Sequence, residues 1–488
     1  MRIPAIILAA LLLLFPFLAA RGSEPPLTLE NAIRLALANN RSIKVDSYSR
    51  AIARANLLTA CGAFEPTLTF KRSYAEDGTP ASQNPLVTEL IKEDSYSLAL
   101  AGTTPWGLTY SLGGSATNTR YSYEGFANSF YSFGGIEITQ PLLKGFGFGT
   151  NLLGVRVARA SRSISAWQYR QTVIDTVAGV VEAYSNLALA HQYLKAVQRT
   201  RDGAAELLAQ NEKRFKVGGL SDNDVTSARA RTALREQSVL AAEHSVREAD
   251  NQLRFCLGEA AFPADGPLLT IEDPVAPEIE VRPADDLRRA FALRSDYQQS
   301  RLGLDQSRYN AIAARNQLLP RVDFVGSYGY NGLDADFAAS RRMVTGQDNR
   351  SYSAGVVVSI PLTFAEARGK ARAAHLQFQQ TEAKLRLLEE NIAVAVANAA
   401  DQVETSRKRV VATKTALTLN EQLLDAELKR LRTGTGSTFN VLYQQEYLNQ
   451  ADIQYSQALA DERSAVVQYE RAIGTLLDRY HVDLSEKS

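Results

Sequence analysis

The chain has little of what metal sites, disulfide scaffolds and nucleotide-driven machines are built from. Its 488 residues include two cysteines and four histidines. His191, His244, His375 and His481 are scattered, so no metal and no cofactor is expected, and two cysteines make no disulfide framework. No glycine-rich loop ends in Gly-Lys-Ser/Thr, and Gly145-x-Gly147-x-Gly149 lacks a preceding parallel-sheet context, which leaves no nucleotide site. No acid, base and nucleophile cluster together, so an enzyme is not expected. Charge of one sign is missing too. The 54 basic and 53 acidic groups leave a net +1, without the basic stripe that nucleic acid requires. Beyond residue 20 no apolar run approaches the ~18 residues of a membrane-spanning helix. With 22% charged residues and a slightly negative mean hydropathy, these absences describe a soluble protein.

The residues that are present point elsewhere. Arg2 precedes an apolar run from Ile3 to Ala20, and small residues follow at Ala20 and Gly22. This pattern predicts a secretory signal over 1–22, cleaved after Ala20 or Gly22.

An internal duplication organises the rest. Shifted by 254, residues 33–74 lie on 287–328 without a gap, with Arg34/Arg288, Asn56/Asn310, Pro66/Pro320 and Tyr74/Tyr328 identical. Shifted by 216, residues 213–258 lie on 429–474, matching Lys213/Lys429, Gly218/Gly434, Val225/Val441 and Gly258/Gly474. Between these blocks Pro141-Leu142 falls on Pro361-Leu362, a shift of 220. The change of shift places 34 extra residues in the first half, between Tyr74 and Phe133. The expected first repeat is 23–258, with a helical segment Leu27–Ala63, strands in about 66–140, a long helix over about 150–216 and a helix over 221–257. A linker over 259–282 leads to the second repeat, 283–474. It has a helical segment Ala284–Leu318, strands in about 321–360, a long helix over about 366–432 and a helix over 437–473, before a tail at 475–488.

The strands alternate. Val322, Phe324, Tyr328 and Tyr330 share one face, opposite Asp323, Ser327 and Gly329. Tyr96, Tyr110, Tyr121, Tyr123 and Tyr131, with Trp106, Phe126, Phe130 and Phe133, enrich 94–140 in aromatics. Ten-residue segments of this kind are the signature of outer-membrane β-barrels, although a β-sandwich with one face on a core reads the same way. Four to six strands per chain cannot close a barrel, so closure needs several chains. Three copies of four strands make twelve. Six per chain make eighteen, unless a hairpin turning at Thr104-Pro105-Trp106-Gly107 lies outside the wall.

No proline interrupts 150–216 or 366–432. Such helices run roughly 100 Å at 1.5 Å per residue, far beyond a globular helix. They fit a tube in which two short helices stack beside each long one, or else a solvated coiled coil. The tube places Cys61 and Cys256 too far apart to bond, so two free thiols are expected.

In this order, Leu27-Thr28-Leu29-Glu30-Asn31-Ala32, Gln140-Pro141-Leu142, Arg214-Phe215-Lys216-Val217-Gly218 with Asp224-Val225, Leu319-Pro320-Arg321-Val322 and Ala472-Ile473-Gly474 resemble the TolC family of outer-membrane efflux channels over nearly the whole mature chain. The resemblance implies a homotrimer in the outer membrane. Its twelve-stranded transmembrane β-barrel is continuous with a periplasmic α-helical coiled-coil barrel, and an equatorial region comes from 259–286 and the tail. It also implies outer-membrane lipid around the barrel, a periplasmic adaptor and an inner-membrane transporter as partners, and a passive duct for small molecules or polypeptides. The alternative is a structural periplasmic coiled coil with a β-sandwich head.

Two features depart from or qualify the family pattern. The 34-residue insertion leaves the strand number open. The two aspartates that constrict the closed pore in the best-known member fall on Asn440 and Tyr443 here, while the first repeat keeps Asp224. The gate candidates are therefore Asp224, Asn440 and Tyr443. Ser221-x-x-Asp224 is equally a helix-capping pattern. The resemblance makes Arg214, Gly218, Arg430 and Gly434 the adaptor-docking candidates at the helical tips. The bland reading of their basic neighbours is support of a helix C-terminus.

Overall fold

A computed structural model describes residues 27–81, 84–219, 221–258, 268, 275–433, 435 and 438–484. The expected signal over 1–22, most of the 259–282 linker, the last four residues of the tail and Gly434 lie outside the described residues. Helices α1 (Leu29–Asn39) and α2 (Arg41–Cys61) come first, then strands β1 (Thr67–Ala81), β2 (Asn84–Thr103), β3 (Thr109–Tyr121) and β4 (Phe130–Pro141). A single turn, α3 (Phe148–Asn151), leads into α4 (Leu153–Lys216) and α5 (Asp222–Leu257). Then come α6 (Pro283–Leu293), α7 (Ser295–Asn316), β5 (Arg321–Asp334), α8 (Phe337–Gly346), β6 (Asn349–Ser359), α9 (Ala365–Arg432), α10 (Thr438–Ile473) and α11 (Leu476–Arg479).

Three local outcomes differ from the sequence reading. The segment Leu27–Ala63 is two helices, because Asn40 turns to extended backbone (φ −64°, ψ 126°). The segment Ala284–Leu318 breaks in the same way at Arg294 (φ −68°, ψ 126°). Neither break carries a proline or glycine. Each is held by a distant carbonyl: the Asn40 amide donates to Cys256 O at 3.1 Å, and the Arg294 guanidinium to Ala472 O at 3.2 Å. The third is α8, a ten-residue helix between β5 and β6 where only a connection was expected.

The six strands form one antiparallel sheet in the order β1-β2-β3-β4-β5-β6. The inserted hairpin is β2–β3. Its turn closes with Thr104 N–H donating to Leu108 O at 2.8 Å and Gly107 N–H to Thr104 O at 2.9 Å, and Gly107 sits at φ +98°. The insertion therefore lies within the sheet, and the described residues supply six strands where the resemblance implied four.

The chain folds as two units. The first comprises residues up to Asn40, Thr176–Ile279 and Val403–Val467. Its core is built of branched and small side chains: Val177, Val180, Val181 and Leu187 of α4, Leu253 and Leu257 of α5, and Ala458 of α10 are all buried. Tyr184, fully buried, keeps its hydroxyl satisfied by donating to Leu27 O at 2.9 Å. The second unit, Arg41–Asp175, Glu280–Gln402 and from Gln468 onward, contains the whole sheet. There Arg471 pairs with Asp175 at 2.5 Å, the Tyr297 hydroxyl donates to Glu389 at 3.1 Å, and the buried Tyr469 hydroxyl donates to Asp286. Helices α4 and α9 have 64 and 68 residues, roughly 100 Å each at ~1.5 Å per residue, and each contributes residues to both units.

Candidate functional site

The sheet sorts its side chains by the two-residue period of a strand. One row of cross-strand neighbours runs Leu68, Leu100, Leu112, Ile136, Tyr328, Tyr352, through all six strands. One residue along, on the opposite face, the row reads Thr69, Ala99, Gly113, Gly135, Gly329, Ser351. The apolar face is uncovered over much of its area, with Phe70 68% and Val356 59% exposed. A β-sandwich would bury that face on a second sheet. A barrel wall turns it to lipid and its small, polar face to the lumen. Among the described residues β1 pairs only with β2, and β6 only with β5, so each edge strand has one side to offer.

At the far ends of the long helices, α4 finishes with Lys213, Arg214 and Lys216, cations that suit a helix C-terminus. The chain reverses there as Gly218 N–H donates to Phe215 O at 2.9 Å and Gly219 N–H to Arg214 O at 2.8 Å. Gly218 adopts φ +76°, which a side chain disfavours. Arg214 and Gly218 are exposed. At the end of α9, Arg430 pairs with Glu427 at 3.0 Å and its carbonyl accepts from Thr435 N–H at 3.0 Å.

Asp224 sits at the start of α5 and completes a capping box. Ser221 N–H donates to Asp224 Oδ2 at 3.1 Å, and Asp224 N–H donates to Ser221 Oγ at 3.3 Å. The Ser221 hydroxyl, donating to the same carboxylate at 2.7 Å, and then the Ser221 N–H hold that carboxyl below its ordinary value. Asn440 and Tyr443 lie in the first turns of α10, both exposed, Tyr443 at 55%. Tyr443 is the middle of an aromatic ladder. Its ring stacks on Phe439 (6.2 Å between centroids, 14°) and meets Tyr447 edge-on at 4.7 Å, with the two hydroxyls 2.7 Å apart. Of the three rings, the family pattern marks Tyr443 and neither Phe439 nor Tyr447. The four-residue spacing of Phe439, Tyr443 and Tyr447, which puts them on one helix face, is the signal that identifies the ladder.

Adjacent helices are tied near these tips. Arg229 pairs with Glu212, joining α5 to α4. Arg235 pairs with Glu446, joining α5 to α10. The Asn449 amide donates to the Thr200 hydroxyl at 3.1 Å, joining α10 to α4. These links give the tip side chains a fixed scaffold.

Comparison with known proteins agrees with this geometry. The curated relatives include the outer membrane efflux protein BepC of Brucella suis, 23% identical over 335 residues, 67% of this chain and 68% of that one. They also include the outer membrane protein TolC of Vibrio cholerae, 23% identical over 319 residues, 65% of this chain and 72% of that one. Among solved structures, the CmeC outer membrane channel of Campylobacter jejuni superposes with a TM-score of 0.68 at 16% identity, covering 94% of this chain and 87% of that one. The family description "outer membrane efflux protein" matches residues 32–259 and 287–475. The chain belongs to that family, the outer-membrane export ducts of tripartite efflux systems, which reach from the outer membrane into the periplasm.

Proposed function

We propose that the chain is one third of a homotrimeric duct whose barrel closes between copies, β6 of one against β1 of the next. The observation that carries this reading is the six-stranded sheet, apolar on one face and small or polar on the other, with both edge strands available. An open edge is not tolerated in lipid, and six strands are too few for a barrel. Three copies give eighteen strands. Since barrel diameter grows roughly linearly with strand number, this wall is about 1.5 times as wide as a twelve-stranded one. The test is the mass of the detergent-solubilised protein together with its conductance in a planar bilayer. A trimer that conducts is expected. A monomer or dimer, or a trimer that does not conduct, refutes the reading.

Each chain carries the same unit twice, 23–258 and 283–474, with the 259–282 linker and the tail from 475 completing it. Several placements support the duplication. Helices α1 and α6 are both 11 residues long, and α5 and α10 both 36. Asn40 and Arg294 are 254 apart, and their acceptors, Cys256 and Ala472, are 216 apart. These are the two shifts at which the sequence repeats. Gly258 lies against Asn39, and Gly474 lies against Leu293, again at the same offsets.

The duct passes cargo from an inner-membrane transporter through a periplasmic adaptor. In this reading the adaptor docks at the tip turns around Arg214, Gly218, Arg430 and Gly434. Three copies of the ladder at Tyr443, together with Asn440, narrow the entrance by bulk where the family's best-known member uses acidic groups. Asp224 serves first as a helix cap.

A further inference from the structure

Helix α8 packs on the outer, apolar face of the sheet, at the end away from the long helices. Its seat is a notch of small residues on that face. Ser132 and Gly332 are cross-strand neighbours, and Gly134 is two residues along from Ser132. A Cβ on Gly332 would come within 2.0 Å of Ser340 O, and one on Gly134 within 2.8 Å of the Val344 side chain. The buried Ser340 hydroxyl donates to Ser132 Oγ at 2.8 Å, and the Phe337 ring lies 5.8 Å from that of Phe130. With Phe337, Ser340 and Val344 turned to the wall, Arg341 and Arg342 are left exposed.

These two cations do not stand alone. On the same face, the row through Ser132 and Gly332 also carries Arg72 and Tyr96, and the next row towards the helices carries Tyr330 and Arg350. Arg72 lies over the Tyr96 ring and Arg350 over the Tyr352 ring. Among the described residues, none of Arg72, Arg341, Arg342 and Arg350 has a carboxylate within salt-bridge distance, whereas the nearby Arg120 and Lys92 are matched by Asp94 and Glu76. Just below this band comes the uncovered apolar row that starts at Leu68. Aromatic side chains over an apolar band mark a membrane interface. Unmatched guanidinium groups at that height suit phosphate, which they bind through paired N–H donors.

We propose that α8 and this arginine band form a binding shelf for the phosphorylated head of an outer-leaflet glycolipid of the lipid A class, whose acyl chains lie on the apolar face below. The proposal rests on the trimeric-barrel reading, in which that face meets lipid. It is tested on the full-length protein in detergent by native mass spectrometry, titrating bis-phosphorylated lipid A and the same lipid after dephosphorylation. The wild-type trimer is expected to retain the phosphorylated form preferentially. Arg341→Gln/Arg342→Gln is expected to weaken retention by about 25-fold, roughly fivefold per cation near a lipid phosphate. Arg231→Gln/Arg247→Gln, which removes two exposed charges from α5, is expected to leave it unchanged. Equal retention of both lipids by the wild type, or equal effects of the two double variants, overturns the proposal. The same spectra report the oligomer. A missing trimer counts against the barrel reading, and an intact trimer without lipid discrimination counts against the shelf alone.

Discussion

Gly258 and Gly474 offer a quantitative test of how the helices are locked. Gly258 ends α5 at φ +90° and ψ −173°, a region open essentially to glycine alone. A Cβ there would stand 2.7 Å from Asn39 O and 2.9 Å from Asn39 C, so backbone must move to admit it. Strain of about 1–3 kcal/mol from the backbone conformation adds to about 1–3 kcal/mol from overpacking, together about 4 kcal/mol for Gly258→Ala. Gly218 supplies the control. It also has positive φ, +76°, but nothing lies within 4 Å of its Cβ position, so Gly218→Ala should cost only about 1 kcal/mol. At roughly 2–4 °C per kcal/mol, the two variants should melt about 10 °C apart. The assay is loss of helical circular dichroism from the detergent-solubilised protein, compared at one scan rate because such assemblies unfold irreversibly. Gly474, at φ +81° with a Cβ position 2.9 Å from Leu293 Cβ and 3.0 Å from Leu293 C, should behave as Gly258 does. If Gly258→Ala melts no lower than Gly218→Ala, the close approach does not constrain the fold and the reasoning fails. If Gly258→Ala and Gly474→Ala differ widely, the two joints are not equivalent and the proposed duplication loses this support.

Tyr443→Ala should raise single-channel conductance in planar bilayers, and an unchanged value would remove the ladder as a constriction. Asp224→Ala should lower thermal stability at neutral pH. Because the folded carboxyl titrates below its ordinary value, the cap is fully present above that value and is lost as pH falls through the lowered one, so wild type and variant should converge in acid. A difference that stays constant down to pH 2 would exclude the carboxylate as its source. Cys61 is exposed, while burial and then the nearby Glu182 carboxylate push the Cys256 thiol up, so a maleimide should label Cys61 well before Cys256 in the folded protein. Equal labelling rates would contradict the packing of the Cys256 helix.

Much of the architecture was legible because it rests on period and punctuation. Strand alternation, the absence of proline over two 67-residue stretches and paired landmarks such as Pro66/Pro320 are local signals, and they suffice to expect a mixed chain of strands and long helices. The breaks at Asn40 and Arg294 were not legible. They are fixed by carbonyls more than 170 residues away, and neither residue type is a helix breaker in itself. Helix α8 was missed for a related reason. Its ten residues are amphipathic in themselves, but the seat that holds them is a notch made by Ser132, Gly134 and Gly332, which lie on other strands. At the tips, the Ser221/Asp224 box followed from a four-residue pattern, whereas the ladder around Tyr443 needed attention to its neighbours at four-residue spacing rather than to one aligned position.

The inserted β2–β3 pair has a consequence for how such walls change size. An antiparallel hairpin leaves the chain on the side from which it set out, so the flanking strands keep their direction and their junctions with α2 and α4. A single added strand would deliver the chain to the wrong surface. Circumference can therefore grow only in steps of two strands per copy, and in a threefold ring of six. In the proposed ring, bore becomes a quantity set by one loop, free to vary while the helices below the sheet stay as they were.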